Sequence, residues 1–102
     1  MNQAHLMAQV KKMQAEMTKA QEELAQTIVS GSAAGGAVTV EVSCDQRVKR
    51  VKIAKEAVDP DDLETLEDLV TVAINDALSK AGETSQKRMA SVTGGMRIPG
   101  LM

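Results

Sequence analysis

The chain has 102 residues, enough for one domain, and although 43% are apolar, fourteen of these are alanine. It contains no Phe, Tyr or Trp, so its core is thin, and stacking of bases on aromatic platforms is excluded as a way of holding single-stranded nucleic acid. The net charge of −2 taken alone argues against a polyanionic partner.

Residues 3–27 lack Gly and Pro and consist almost wholly of good helix formers, which predicts one long helix. Leu6, Val10, Met13, Met17, Ala20 and Leu24 recur in alternating steps of four and three. That spacing makes a coiled-coil-like seam, which needs a partner helix from this chain or from another copy. Thr27 to Ser30 is short and β-branched, and Gly31 to Gly36 is expected to be a connection. In 37–44, Val38, Val40, Val42 and Cys44 alternate with Thr39, Glu41 and Ser43, the pattern of a strand with one buried and one solvated face. A tight turn at Asp45-Gln46 leads into a return strand, Arg47 to Ile53. Val48 is out of phase with Val51 and Ile53, which a bulge or a late strand start would reconcile. Three antiparallel strands in a meander are the simplest arrangement.

Asp59-Pro60-Asp61-Asp62 opens the second helix, with Asp59 as the expected cap and Pro60 in the first helical position. Leu63, Leu66, Leu69, Val70, Ala73, Ile74, Ala77 and Leu78 form a wide apolar stripe suited to covering a sheet. Gly82 is expected to fray or kink this helix and Gly94-Gly95 to end it, ahead of a tail without periodicity. A helix of ~25 residues is ~37 Å long and one of ~30 residues ~45 Å. Strands of ~6–8 residues reach only ~20–27 Å, so both helices should overhang the sheet by ~10–20 Å.

The charge is segregated along the chain. Eight acids and no Lys or Arg lie between Glu56 and Asp76. Residues 1–20 carry Lys11, Lys12 and Lys19 against Glu16, and residues 79–102 carry Lys80, Lys87, Arg88 and Arg97 against Glu83. The overhanging parts should therefore be basic and the body acidic. Lys11, Lys12, Lys19, Lys80, Lys87 and Arg88 are the candidates for phosphate contact, because cations that displace counterions from a polyanion need no fixed spacing. The alternative for them is a set of solvated helix faces with local ion pairs, Glu16 to Lys12 or Lys19 and Glu83 to Lys80 or Lys87. Arg47, Lys49, Arg50, Lys52 and Lys55 form a rival patch, more readily read as neutralising the acidic helix start or guarding a strand edge.

Catalytic and metal chemistry find little support. Cys44 and His5 stand alone, too few for an intrachain disulfide or a zinc site of His/Cys type. Cys44 falls on the apolar side of its strand and reads as a buried thiol, and Met7, Met13, Met17 and Met89 read as packing. Gly35-Gly36 is followed by neither Lys-Ser/Thr nor a helix, so it is a turn and not a phosphate loop. The first residues do not have the form of a signal peptide, and no apolar run approaches the ~20 residues of a membrane span. A soluble, cytoplasmic protein that is not an enzyme, with no cofactor, no metal, no membrane and no small-molecule substrate, is the expectation.

The sequence resembles the YbaB/EbfC family of bacterial nucleoid-associated proteins over nearly its whole length. The resemblance is carried by Met13-Gln14-Ala15-Glu16-Met17 and Gln21-Glu22-Glu23-Leu24, then by Leu66-Glu67-Asp68-Leu69-Val70 and Ala73-Ile74-Asn75-Asp76-Ala77. The string Lys87-Arg88-Met89-Ala90-Ser91-Val92-Thr93, with Gly94-Gly95-Met96 and Ile98-Pro99-Gly100, completes it. The resemblance implies an α+β fold of order α-β-β-β-α and a homodimer with projecting helical arms. It also implies binding to double-stranded DNA that changes the conformation of the DNA in the nucleoid. One departure is the lack of the Phe that members often carry in the second helix and tail. The expectation is thus a single DNA-binding domain over 1–102, with 93–102 as a flexible tail. A protein–protein adaptor of recombination or replication machinery, acting through the helical seam, is the alternative.

Overall fold

The computed structural model describes residues 2–93, with nothing stated for the side chain of Thr93. Helix α1 spans Gln3–Gln26 and starts at Asn2, whose side-chain oxygen accepts the N–H of Ala4 at 3.0 Å. This cap satisfies one of the otherwise unpaired donors of the first turn. At the other end Thr27 is extended, and its hydroxyl donates back to the carbonyl of Glu23 at 2.8 Å. The N–H of Cys44 reaches both the Leu24 and Thr27 carbonyls, at 3.0 and 2.9 Å, and so fastens the last turn of α1 to the end of the second strand.

Strands β1 (Ile28–Ala33), β2 (Val38–Ser43) and β3 (Arg47–Ile53) form an antiparallel sheet in that order. β1 is longer than the sequence suggests, because Gly31, Ser32 and Ala33 belong to it. The connection shrinks to a single 3-10 turn at Ala34–Gly36, where Ala34, Gly35 and Gly36 all have positive φ. The expected bulge is present: Glu41 pairs with Arg50 and Val42 with Val48, leaving Lys49 as the extra residue. It brings Val48 onto the same face as Val51 and Ile53. Val38, Val40 and Val42 are fully buried, and Cys44 is buried as expected. Ser43 departs from the alternation, since it too is buried, with its hydroxyl bonded to the Asp45 carboxylate and the Arg47 carbonyl.

Helix α2 runs Leu63–Thr93, later in the chain than the expected start. Asp59 instead closes a turn, its carboxylate accepting the N–H of Asp61 at 2.9 Å and its carbonyl that of Asp62. Asp62 caps the helix, taking the Thr65 N–H at 3.3 Å and the Thr65 hydroxyl at 2.6 Å. Pro60 lies in the turn before it and not in the first helical position. The helix passes through Gly82 unbroken, where a kink was expected. Thr93 is its last residue, so the expected tail does not begin there; the stop at Gly94-Gly95 and the remaining tail lie outside the described residues.

Gly31 explains how α2 sits on the sheet. A Cβ at this position would lie 2.2 Å from the Ala77 nitrogen and 2.6 Å from the Ala73 carbonyl oxygen. Strand and helix backbones therefore meet where glycine faces two fully buried alanines. The helix covers β1 and β2, while all seven residues of β3 stay exposed. The described chain measures 70 × 27 × 17 Å with a radius of gyration of 19.5 Å. A compact domain of this length has about 13 Å, so the helices do overhang the sheet.

Candidate nucleic-acid interface

Beyond the sheet, the distal part of α1 and the C-terminal third of α2 form an antiparallel two-helix arm. Glu23 meets Arg88, and farther out Glu16 and Lys19 share a cleft with Arg88, Ser91 and Val92. The seam of α1 is only partly used for this. Ala20 and Leu24 are buried and Met13 and Met17 half-buried, whereas Leu6 and Val10 are exposed. Met13, Met17 and Met89 pack as expected, but Met7 is 57% exposed, because α1 continues past the point where α2 lies against it.

The six candidate cations fall into two groups. Lys11, Lys12, Lys19 and Lys87 are exposed, and none joins a salt bridge among the described residues. Lys12 and Lys19 are seven residues apart, two helical turns, and so share one face of α1. Lys80 and Arg88 are engaged within the chain. The Lys80 ammonium lies 3.2 Å from the Asp76 carboxylate and donates to the Ser30 carbonyl at 3.3 Å, at the rim of the body. Arg88 is half-buried and donates to Glu23 at 2.8 Å, joining the two helices of the arm. Neither pair is among the local ones weighed from sequence. The i,i+4 spacing of Asp76 and Lys80 was a visible signal. Glu23 lies 65 residues from Arg88 and gave none.

These contacts shift the groups involved. The hydrogen bond from Arg88 holds the Glu23 carboxyl below its ordinary value of 4.5, with the charges of Arg88 and Lys19 adding to the effect. The same bond raises Arg88, which stays charged. Asp76 is held below 3.8, first by the Ser32 N–H and then by Lys80. On the arm (residues 3–20 and 82–93), Lys11, Lys12, Lys19, Lys87 and Arg88 stand against Glu16 and Glu83, a surplus of three positive charges. The acids of Glu56–Asp76 lie on the body and its approach to α2.

A projecting basic two-helix arm on an acidic α-β-β-β-α body is the geometry in which the comparisons with known proteins can be placed. A match to the YbaB/EbfC DNA-binding family covers residues 1–96. The chain belongs to this family. A nucleoid-associated protein of Chloroflexus aurantiacus is 50% identical over 95% of this chain and 97% of its own length. One from Alkaliphilus metalliredigens is 48% identical over 98% of this chain and 88% of its own. The crystal structure of an uncharacterized protein from Helicobacter pylori superposes with a TM-score of 0.75 over 85% of this chain and 91% of that one. At 21% identity that likeness speaks for the fold. This YbaB/EbfC member has, among its described residues, no helix long and apolar enough to cross a membrane.

Proposed function

We propose that the protein is a nucleoid-associated protein that binds duplex DNA as a homodimer, chiefly through the phosphate backbone, and alters the conformation of the DNA. The reading rests on one observation: Lys11, Lys12, Lys19 and Lys87 are exposed, without an ion partner among the described residues, on an arm that leads away from the acidic body. Such cations release condensed counterions when they meet phosphates, whatever the base sequence. Two arms on one dimer would act together, raising affinity without new contacts and bending or bridging the duplex. Lys80 and Arg88 belong to the same surface but would have to exchange carboxylates for phosphates. The nucleoid of the cytoplasm is the location that follows, and the reading calls for no enzymatic step.

Charge reversal at Lys12 and Lys87 tests it in a gel-shift series with random duplex DNA across salt concentrations. The double variant should bind at least about tenfold more weakly, and the log–log salt slope should fall by about 0.9 for each phosphate that is no longer neutralised. Folding, followed by circular dichroism, should be unchanged. Unaltered affinity would remove the arm as the binding surface. The exposed apolar tip at Leu6, Met7 and Val10 favours the second reading, a protein–protein adaptor, which predicts no appreciable duplex affinity at any salt.

A further inference from the structure

The two edges of the sheet are treated differently by the rest of the chain. At the β1 edge the Asp76 carboxylate accepts the Ser32 N–H at 3.1 Å, and Lys80 donates to the Ser30 carbonyl. With α2 seated on Gly31, that edge is covered. β3 is the other edge, and every one of its residues is exposed.

The exposed side of β3 includes apolar surface. The pairs Val38 with Ile53, Val40 with Val51 and Val42 with Val48 put six side chains on one face. The three from β2 are fully buried, while Val48, Val51 and Ile53 are 46, 43 and 40% exposed. Half-buried Val70, Ile74 and Leu78, four residues apart on α2 and packed against the core, lie on the flank turned away from Asp76, toward β3. The dry core thus runs out into a wet apolar strip between this flank and β3. A contiguous strip of this kind marks an interaction surface.

We infer that a second copy of this chain covers the strip, β3 of each copy lying against the α2 flank of the other. The charge pattern selects this occupant. Residues 47–55 carry Arg47, Lys49, Arg50, Lys52 and Lys55 without an acid, and the stretch Glu56–Asp76 carries eight acids without a cation. Two β3 strands joined edge to edge would set these cations beside their own copies, a destabilising arrangement. Crossing each β3 onto the partner's α2 sets positive against negative, and a twofold axis repeats the contact. Nucleic acid is the wrong occupant, because the acidic flank would repel it.

The inference rests on the homodimer reading and adds the surface that closes it. The test compares solution mass, by sedimentation over a concentration series, for the full chain and its variants. The native chain should be dimeric. Val51→Asp should raise the dissociation constant at least about tenfold with unchanged circular dichroism. Lys49→Glu/Lys52→Glu and Glu64→Lys/Glu67→Lys should each dissociate alone, and an equimolar mixture should recover the dimer, since only mixed pairs restore opposite charges at both contacts. If Val51→Asp does not fold, the charge exchange alone decides. A dimer that persists in these variants, or charge variants that regain no mass on mixing, overturns the inference. If the native chain is dimeric and Val10→Asp splits it while the β3 variants do not, the helical seam closes the dimer and only this inference falls. A native chain that is monomeric throughout defeats the homodimer reading itself.

Discussion

The body and the arm are built from the same two helices, yet they are held by different means. In the body, α2 lies directly on β1 at Gly31, and Val38, Val40, Val42, Ala73 and Ala77 are completely shielded from water. In the arm, the fully or nearly buried residues are Ala20, Leu24 and Ala81 near the junction, followed by half-buried methionines and then by exposed Leu6 and Val10. Apolar burial declines along α1 from its C-terminus to its N-terminus. Isolated helical segments are marginal in water, so the tip depends on continuity with the packed part. Rigidity at the base and looser helix at the tip suit an element that must adjust to a ligand while staying aimed by the body.

Hydrogen exchange should show this contrast most strongly. Amides of Leu6 to Lys12 should exchange at least about a hundredfold faster than those of β2, because tip opening needs little more than local helix loss while β2 opens with the whole domain. Equal protection at both places would mean that the tip is packed as firmly as the body. Next in size is Gly31→Ala. The new methyl group would press on helix backbone and not on a side chain that can turn away, so about 1–3 kcal/mol of stability should be lost in urea unfolding. The loss should appear in the body, where strand and helix separate, and with it the support of the arm. Asp62→Ala should cost about 1 kcal/mol, since it removes the cap of α2 at the body end and leaves the first turn otherwise intact.

Acid should give the smallest effect and act on both regions. Glu23 and Asp76 have lowered values in the folded chain, so their contributions are complete above 4.5 and 3.8 and are lost as pH falls through the lowered values. Glu23→Gln should flatten the acid limb of stability through the arm, and Asp76→Asn through the β1 edge. Thermal unfolding measured from pH 6 downward would separate them. If both variants keep the full acid dependence of the native chain, these carboxylates are not its source.

Much of the fold was legible from local signals. Helix formers without Gly or Pro gave α1 to within one residue at its end, and valine alternation gave β2. The phase slip at Val48 gave the bulge, because the period of a strand is two and one extra residue must be accommodated. Gly31 was misread for a reason of the same kind: glycine next to Gly35-Gly36 resembles turn, and nothing local says that a helix 42 residues later needs the missing side chain. The four aspartates before α2 were also ambiguous, since each can cap or close a turn, and the choice fell to whichever lay next to Leu63 and Thr65.

For the candidate site, charge segregation and helix length versus strand length were enough to place basic residues on overhanging rods. The partners of those residues were not. Lys12 and Lys19 remain exposed while Arg88 is drawn to Glu23, although all three read alike as cations on helix surfaces. Periodicity, capping and composition act between neighbours, so the chain alone determined its elements, their approximate lengths and where its charge accumulates. Which half of the α1 seam finds a partner, which cations are held by acids and which side of the sheet stays uncovered depend on contacts between residues tens of positions apart. Only the docking of α2 on β1 and β2 decided them.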